Sequence, residues 1–312
     1  MRAPLVAIPA LGLPLAAIIA VGAIALGGCG SKEPSEESAS GKLQVVAAEN
    51  FWGSIAAQVG GEKVQVRSIV VNPNADPHSY EPSAEDARAM AGAQVAIVNG
   101  IGYDEWASRL LAASPSSERA VLDVGKVLAL GQGANPHQWY SPAHVRAVVG
   151  AIVAAFDRKT PARASYFAQQ RRVFEDVGLA RYDELIRRIR ARYAGVAVGY
   201  SESIFQPLGE ALGLKLLTPY GFARAIAEGG EVSARDKQVV DRQVSSGQVK
   251  VWVVNVQNLT PDVQRVSAEA NTAHVPIATL TETLSPAKDT FEQWQVAQLE
   301  GLERALHAAT GR

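Results

Sequence analysis

Two short stretches carry side chains suited to holding a metal ion. "DPHSYEP" sets His78 between Pro77 and Pro82, and "NPHQWYSP" sets His137 between Pro136 and Pro142. Proline fixes φ and restricts its neighbours, so each loop gives up little entropy when it presents its imidazole. Two carboxylates stand at comparable places further on: Glu202 after the apolar run "VAVGY" and Glu282 after "VPIATL". Two imidazoles with two carboxylates suit a borderline divalent ion such as Zn²⁺, Mn²⁺ or Fe²⁺. The set is too hard for Cu(I) and too rich in nitrogen for Ca²⁺ or Mg²⁺. Two carboxylates also offset the ion's double charge, which lowers the cost of enclosing it away from water. Taken singly, each histidine also fits a loop residue bonded to backbone, Glu202 a helix-capping carboxylate and Glu282 a surface residue.

Topology brings the four together. Short β-branched runs alternate with helical stretches from Leu43 onward: "LQVVAA" then "SIAAQVGG", "VQVRSIVV" then "AEDARAMAGA", "QVAIVN" then "DEWASRLLAA". This alternation predicts an α/β fold with mainly parallel sheets. Ligands in open α/β sheets bind beyond the carboxyl ends of the strands. His78 follows the strand "VQVRSIVV", His137 follows "VGKVLAL" read as a strand, and Glu202 and Glu282 follow two later strands, so all four fall on loops at that edge. Ser141 as N-cap and Pro142 at the first helical position open the helix "AHVRAVVGAIVAAFDRK" behind His137.

The longest helical pattern lies between Pro161 and Ala194, with Phe167, Phe174, Val177, Leu185, Ile189 and Tyr193 on one stripe. Thr160 and Pro161 start it and Gly195 stops it. An unbroken helix of this length would run on the order of 50 Å, the length of a strut between two lobes. Gly178 is its weak point, since glycine costs about 1 kcal/mol in a helix interior. After Gly195 the scheme restarts: "LQVVAAENFWGSIAAQVGG" and "GVAVGYSESIFQPLGEALGL" share an order of strand, glutamate, aromatic, helix and glycine. Shared α/β grammar explains this nearly as well as duplication does. The expected division is therefore a first lobe over 43–160, a connecting helix over 161–194 and a second lobe over 195–312.

With 312 residues, 47% hydrophobic and 20% charged at a formal net charge of -1, the chain has an ordinary globular composition with room for two lobes. No basic surplus points to nucleic acid. Residues 3–28 carry no charge, follow Arg2 and end on small residues before the single cysteine, Cys29. An export signal over 1–28 fits this pattern, with an uncleaved membrane anchor as the competing reading because about 20 apolar residues suffice to span a bilayer. Residues 29–42 are rich in Ser, Glu and Gly and predict a flexible tether. A single cysteine excludes an internal disulfide and a thiolate cluster, so a metal site must use nitrogen and oxygen.

"LGGC" resembles the lipobox of bacterial lipoproteins, which implies that Cys29 is lipidated and begins the mature protein. With "DPHSYEPS", "NGIGYDEW", "NPHQWYSP" and "TETLSP", the chain from Leu43 to the final helix resembles the metal-binding receptors of the zinc/manganese ABC importers. The resemblance implies two Rossmann-like lobes joined by a single long helix, one metal ion in the cleft between them, and delivery to a membrane permease by a lipid-anchored monomer outside the cytoplasm. By motif, His78 and His137 fall on the ligands of the first lobe and Glu202 on the third position, which is histidine or glutamate among such receptors. The fourth position is usually aspartate; "TETL" offers Glu282, with Asp289 as its main rival and Glu49 and Asp76 in reserve. The histidine-rich insert of many zinc-specific members does not occur before "NPH".

A metallohydrolase using the same residues is the main alternative, and a surface adhesin lipoprotein a third. Catalytic zinc commonly keeps three protein ligands and an open position with a general base nearby, whereas four ligands favour carrying the ion. No "HExxH" occurs. His144, His274 and His307 have no partner at ligand spacing and read as structural or solvent-facing, and Trp139 stands close enough to His137 to wall a site.

Overall fold

The computed structural model describes residues 41–73 and 77–312; the expected export signal over 1–28, Cys29, most of the expected tether over 29–42 and Asp76 lie outside the described residues. Within them, eight strands form two four-stranded sheets. The first contains β1 (Leu43–Glu49), β2 (Val64–Val70), β3 (Val95–Val98) and β4 (Ala120–Asp123) in the order β2-β1-β3-β4. The second contains β5 (Ala197–Tyr200), β6 (Lys215–Leu216), β7 (Val251–Asn255) and β8 (Ile277–Leu280) in the order β6-β5-β7-β8. Every pairing is parallel. The order is the same in both halves, as the restart after Gly195 suggests.

Strand alternation decides which core each side chain enters. Val45 and Ala47 join the main core while Val46 and Ala48 face the opposite side, and Val251 and Val253 are likewise split from Trp252 and Val254. Both faces of each sheet are therefore buried, as parallel sheets require when helices cover them. The main core is continuous from β1 through the helix Pro142–Lys159, the connecting helices and the last helix Phe291–Thr310 to β7 and β8. Hydrogen bonds also join the halves, among them Leu284 N–H to Asn50 Oδ1 at 3.2 Å and Phe291 N–H to Ser54 Oγ at 2.9 Å.

The segment 161–194 is helical but not uniform. It runs as a turn at Pro161–Arg163, an α-helix over Ala164–Val173, a π-helical turn over Phe174–Gly178 and an α-helix over Ala180–Tyr193. Leu179 N–H donates to Phe174 O at 2.8 Å, a five-residue span. The extra residue rotates the stripe: Phe174 stays buried and Leu179, Tyr182, Leu185 and Ile189 follow it inward, but Val177, expected on the apolar face, is 71% exposed. Gly178 sits at this fault, consistent with its low helix propensity. Gly195, at φ +80°, ends the segment in a conformation that disfavours other residues.

"VGKVLAL" is not a strand; β4 is the preceding "AVLD", and Val124–Val127 forms a helical turn. Asp123 starts that turn by accepting the Lys126 N–H at 3.1 Å, so an apolar run after a good capping residue curls instead of extending. His137 still follows a strand of the first sheet, one turn later than expected.

Candidate metal centre

His78, His137 and Glu282 converge, with one ligand atom from each lying within 4.8 Å of the other two. Glu282 Oε1 stands 3.7 Å from His78 Nε2 and 3.6 Å from His137 Nε2. Donors each about 2.1 Å from a tetrahedral ion stand roughly 3.4 Å apart, so the two separations from Glu282 are already close to what one ion requires. His137 Nε2 is buried without a hydrogen-bond partner, a costly arrangement for a lone pair that has nothing to bind.

Each side chain is aimed by its neighbours. His78 lies in the turn Pro77–Ser79, whose Pro77 O accepts the Trp106 Nε1–H at 3.1 Å. The Tyr103 ring packs edge-on against His78 at 4.5 Å between centroids, and its hydroxyl donates to Glu282 Oε1 at 2.9 Å. His137 Nδ1 donates to Asn135 Oδ1 at 2.8 Å, which leaves the Nε2 lone pair facing the cluster. Asn135 Nδ2 in turn donates to Ser203 O at 2.7 Å, tying this loop to the second sheet. Trp139 walls His137 at 5.2 Å and stacks on Phe51 at 3.9 Å. Gln257 Oε1 accepts the N–H groups of Glu282 and Thr283 at 2.6 and 3.0 Å, fixing the loop after β8.

Burial holds the His137 imidazole below its ordinary pKa, with His78 acting in the same direction and Glu282 against it. His137 is therefore neutral and able to ligate at neutral pH. Burial pushes Glu282 up, but the imidazoles of His137 and His78 and the Tyr103 hydroxyl together outweigh it and keep the carboxyl below its usual range. The Glu282 oxygen thus faces the Nε2 atoms of His78 and His137.

Glu202 does not join this cluster. It is buried at the end of β5, where Asn255 Nδ2 donates to its Oε1 at 3.0 Å and Asn258 Nδ2 to its Oε2 at 2.7 Å. Nor does its side chain cap the turn that follows, which was the other reading of this residue. Asp289 is absent from the cluster too, and Glu49 is wholly buried beside Asp104. Among the other histidines, His144 Nδ1 meets Gln138 Oε1, His307 Nδ1 meets Arg312 O, and His274 sits at a helix end with φ +55°. The sequence reading missed Asn135, Tyr103, Gln257, Asn255 and Asn258. Asn135 and Tyr103 stand in the stretches "NPHQWYSP" and "NGIGYDEW", whereas Gln257, Asn255 and Asn258 reach the site from distant loops.

The sequence profile of the family described as zinc-uptake complex component A, periplasmic, matches residues 45–305. The chain belongs to this family. Among proteins similar to this chain, the manganese-binding lipoprotein MntA of Halalkalibacterium halodurans is 29% identical over 140 residues, which cover 43% of this chain and 46% of that protein. The manganese ABC transporter substrate-binding lipoprotein scaA of Streptococcus gordonii is 32% identical over 130 residues, 37% of this chain and 41% of that one. The chain spans about half the length of the curated relatives it matches. A manganese-bound mutant of the periplasmic metal binding protein from Candidatus Liberibacter asiaticus shares the fold, with a TM-score of 0.73 at 19% identity over 85% of this chain and 100% of that one.

Proposed function

We propose that this protein is an extracytoplasmic receptor that captures one divalent transition metal ion, Zn²⁺ or Mn²⁺ with Fe²⁺ as a further candidate, and hands it to the permease of an ABC importer. It is a binding protein and not an enzyme. The observation that carries this reading is the convergence of His78, His137 and Glu282, with a partnerless buried nitrogen on His137. The family match and the manganese-binding names of two relatives support it.

In this reading residues 43–160 and 195–312 are the two metal-binding lobes and 161–194 the helix that connects them. Residues 29–42 tether the monomer to a membrane through lipidated Cys29, after removal of residues 1–28. Glu202 supplies the fourth ligand. It is buried, and Ser203 beside it lies 3.4 Å from His137 Nδ1 through its hydroxyl. Two amide donors fix its carboxyl, and together with Glu282 it offsets the charge of M²⁺. Zn²⁺ binds such nitrogen and oxygen sites more tightly than Mn²⁺, so transport selectivity must come from supply and from the permease.

Stripping the protein and reloading it with Zn²⁺, Mn²⁺ and Fe²⁺, separately and mixed, tests the proposal by metal analysis with thermal melting alongside. One equivalent of metal and a raised melting temperature are expected. No binding and no shift would refute it.

A further inference from the structure

Beneath the metal-binding cluster lies a pair of acids that ligation does not use. Glu49 ends β1 and is fully buried, and neither of its oxygens meets a hydrogen-bond donor from another residue among those described. What it meets is the carboxyl of Asp104, which is also fully buried. Two carboxyls in contact away from water cannot both be ionised. Asp104 accepts the N–H groups of Asn99 at 2.7 Å and Gly100 at 2.8 Å, which favours its anionic form. Glu49 has no comparable donors, so the proton belongs on Glu49. Burial first, then the charge of Asp104, push the Glu49 carboxyl well above its ordinary range, while Asp104 is raised to about 6.

The position of the pair gives it a task. Asp104 closes the turn Asn99–Asp104, and two supports of the metal site leave from that turn. Asn99 Nδ2 donates to Pro136 O at 3.0 Å, directly before His137, and the Tyr103 hydroxyl holds Glu282 from the other sheet. Asn99 Oδ1 is itself fixed by the Trp52 Nε1–H at 3.0 Å. We infer that Glu49, as a carboxylic acid, donates a hydrogen bond to the Asp104 carboxylate, and that this shared proton locks the turn from which both His137 and Glu282 are held in place. Glu49 and Asp104 are positioning residues, and the inference rests on the metal-site reading above. An ionised Glu49 would repel Asp104 and open the turn.

Glu49→Gln keeps a donor toward Asp104, whereas Glu49→Leu keeps only the bulk. Calorimetric titration with Zn²⁺ and Mn²⁺ should show E49Q binding close to wild type and E49L weakened about 10- to 100-fold, the usual cost of losing a group that orients metal ligands. A merely structural requirement for size would spare E49L. Difference infrared spectra of metal-free wild type against E49Q should show the carbonyl stretch of a buried protonated acid at neutral pH, lost in the variant. E49L binding as tightly as wild type, or no acid band, overturns the inference. If E49L does not fold, E49Q affinity and the infrared band decide: weak binding by E49Q or a missing band refutes it. Wild type that binds neither ion refutes the metal-site reading instead, and the infrared comparison still judges the shared proton.

Discussion

Replacing His137 by alanine tests the site where its geometry is most demanding. His137 is wholly buried, its Nδ1 is committed to Asn135 and its Nε2 has only the cluster to face. Loss of a direct ligand should weaken binding at least about 100-fold, the upper end of what losing a supporting residue costs. Metal at about 1,000 times the wild-type Kd stabilises the folded state by about 4.1 kcal/mol. At the same concentration the variant stands at about 10 times its own Kd and gains about 1.4 kcal/mol. At roughly 2 °C per kcal/mol for a chain of this size, metal should raise the melting temperature of wild type by about 8 °C and that of H137A by about 3 °C. The metal-free variant should still fold, because Asn135 Oδ1 keeps the His137 backbone N–H at 3.0 Å. Differential scanning calorimetry with and without metal reads both quantities. An equal metal-induced shift in the two proteins would show that His137 is not a ligand.

Further outcomes follow from the same contacts. Because burial holds the His137 pKa below its ordinary value of 6.5, metal affinity should stay level above that pH and fall as pH drops through the lower folded-state value; titration calorimetry across this range would expose a site without imidazole if affinity did not change. The same sign applies to metal-free stability, since the unfolded chain takes up the proton first, so this contribution is lost on acidification and not on alkalinisation. Asn135→Leu removes both the tautomer lock on His137 and the bond to Ser203 O, and should cost about 10- to 100-fold in affinity with the fold retained. Phe51→Ala withdraws the ring stacked on Trp139 and should destabilise by about 3–5 kcal/mol in denaturant melts; a loss below about 1 kcal/mol would contradict the packing described. Glu49, whose folded-state pKa stands well above 4.5, makes wild type lose stability as pH rises through that interval, so E49Q should lose less between about pH 5 and 8.

The fold was legible where strands are rich in β-branched residues, as in β2 and β7, and where a crossover helix begins at a readable cap. Ser141 with Pro142 announces the helix Pro142–Lys159, and Ser141 Oγ does accept the His144 N–H at 3.4 Å. Where local signals compete, the reading failed: Asp123 capped a turn inside an apolar run, and the π turn at Phe174–Gly178 slipped the stripe past Val177. Periodicity assumes a constant pitch and cannot register one inserted residue. At the site, His78 and His137 were marked by flanking prolines and Glu282 by its place after a strand. Glu202 follows a strand equally well, and its partners Asn255 and Asn258 are long-range side chains that no sequence spacing betrays. The acid pair of Glu49 and Asp104 escaped for the same reason, being brought together only by the adjacency of β1 and β3.

The central claim is that one divalent ion sits among these side chains. A crystal of the reloaded protein measured at the absorption edge of the bound metal should show a single anomalous peak about 2.0–2.2 Å from Nε2 of His78, Nε2 of His137 and a carboxylate oxygen of Glu282, with Glu202 drawn in as the fourth ligand. A peak elsewhere, or none in a protein that melts no higher with metal, would contradict the account.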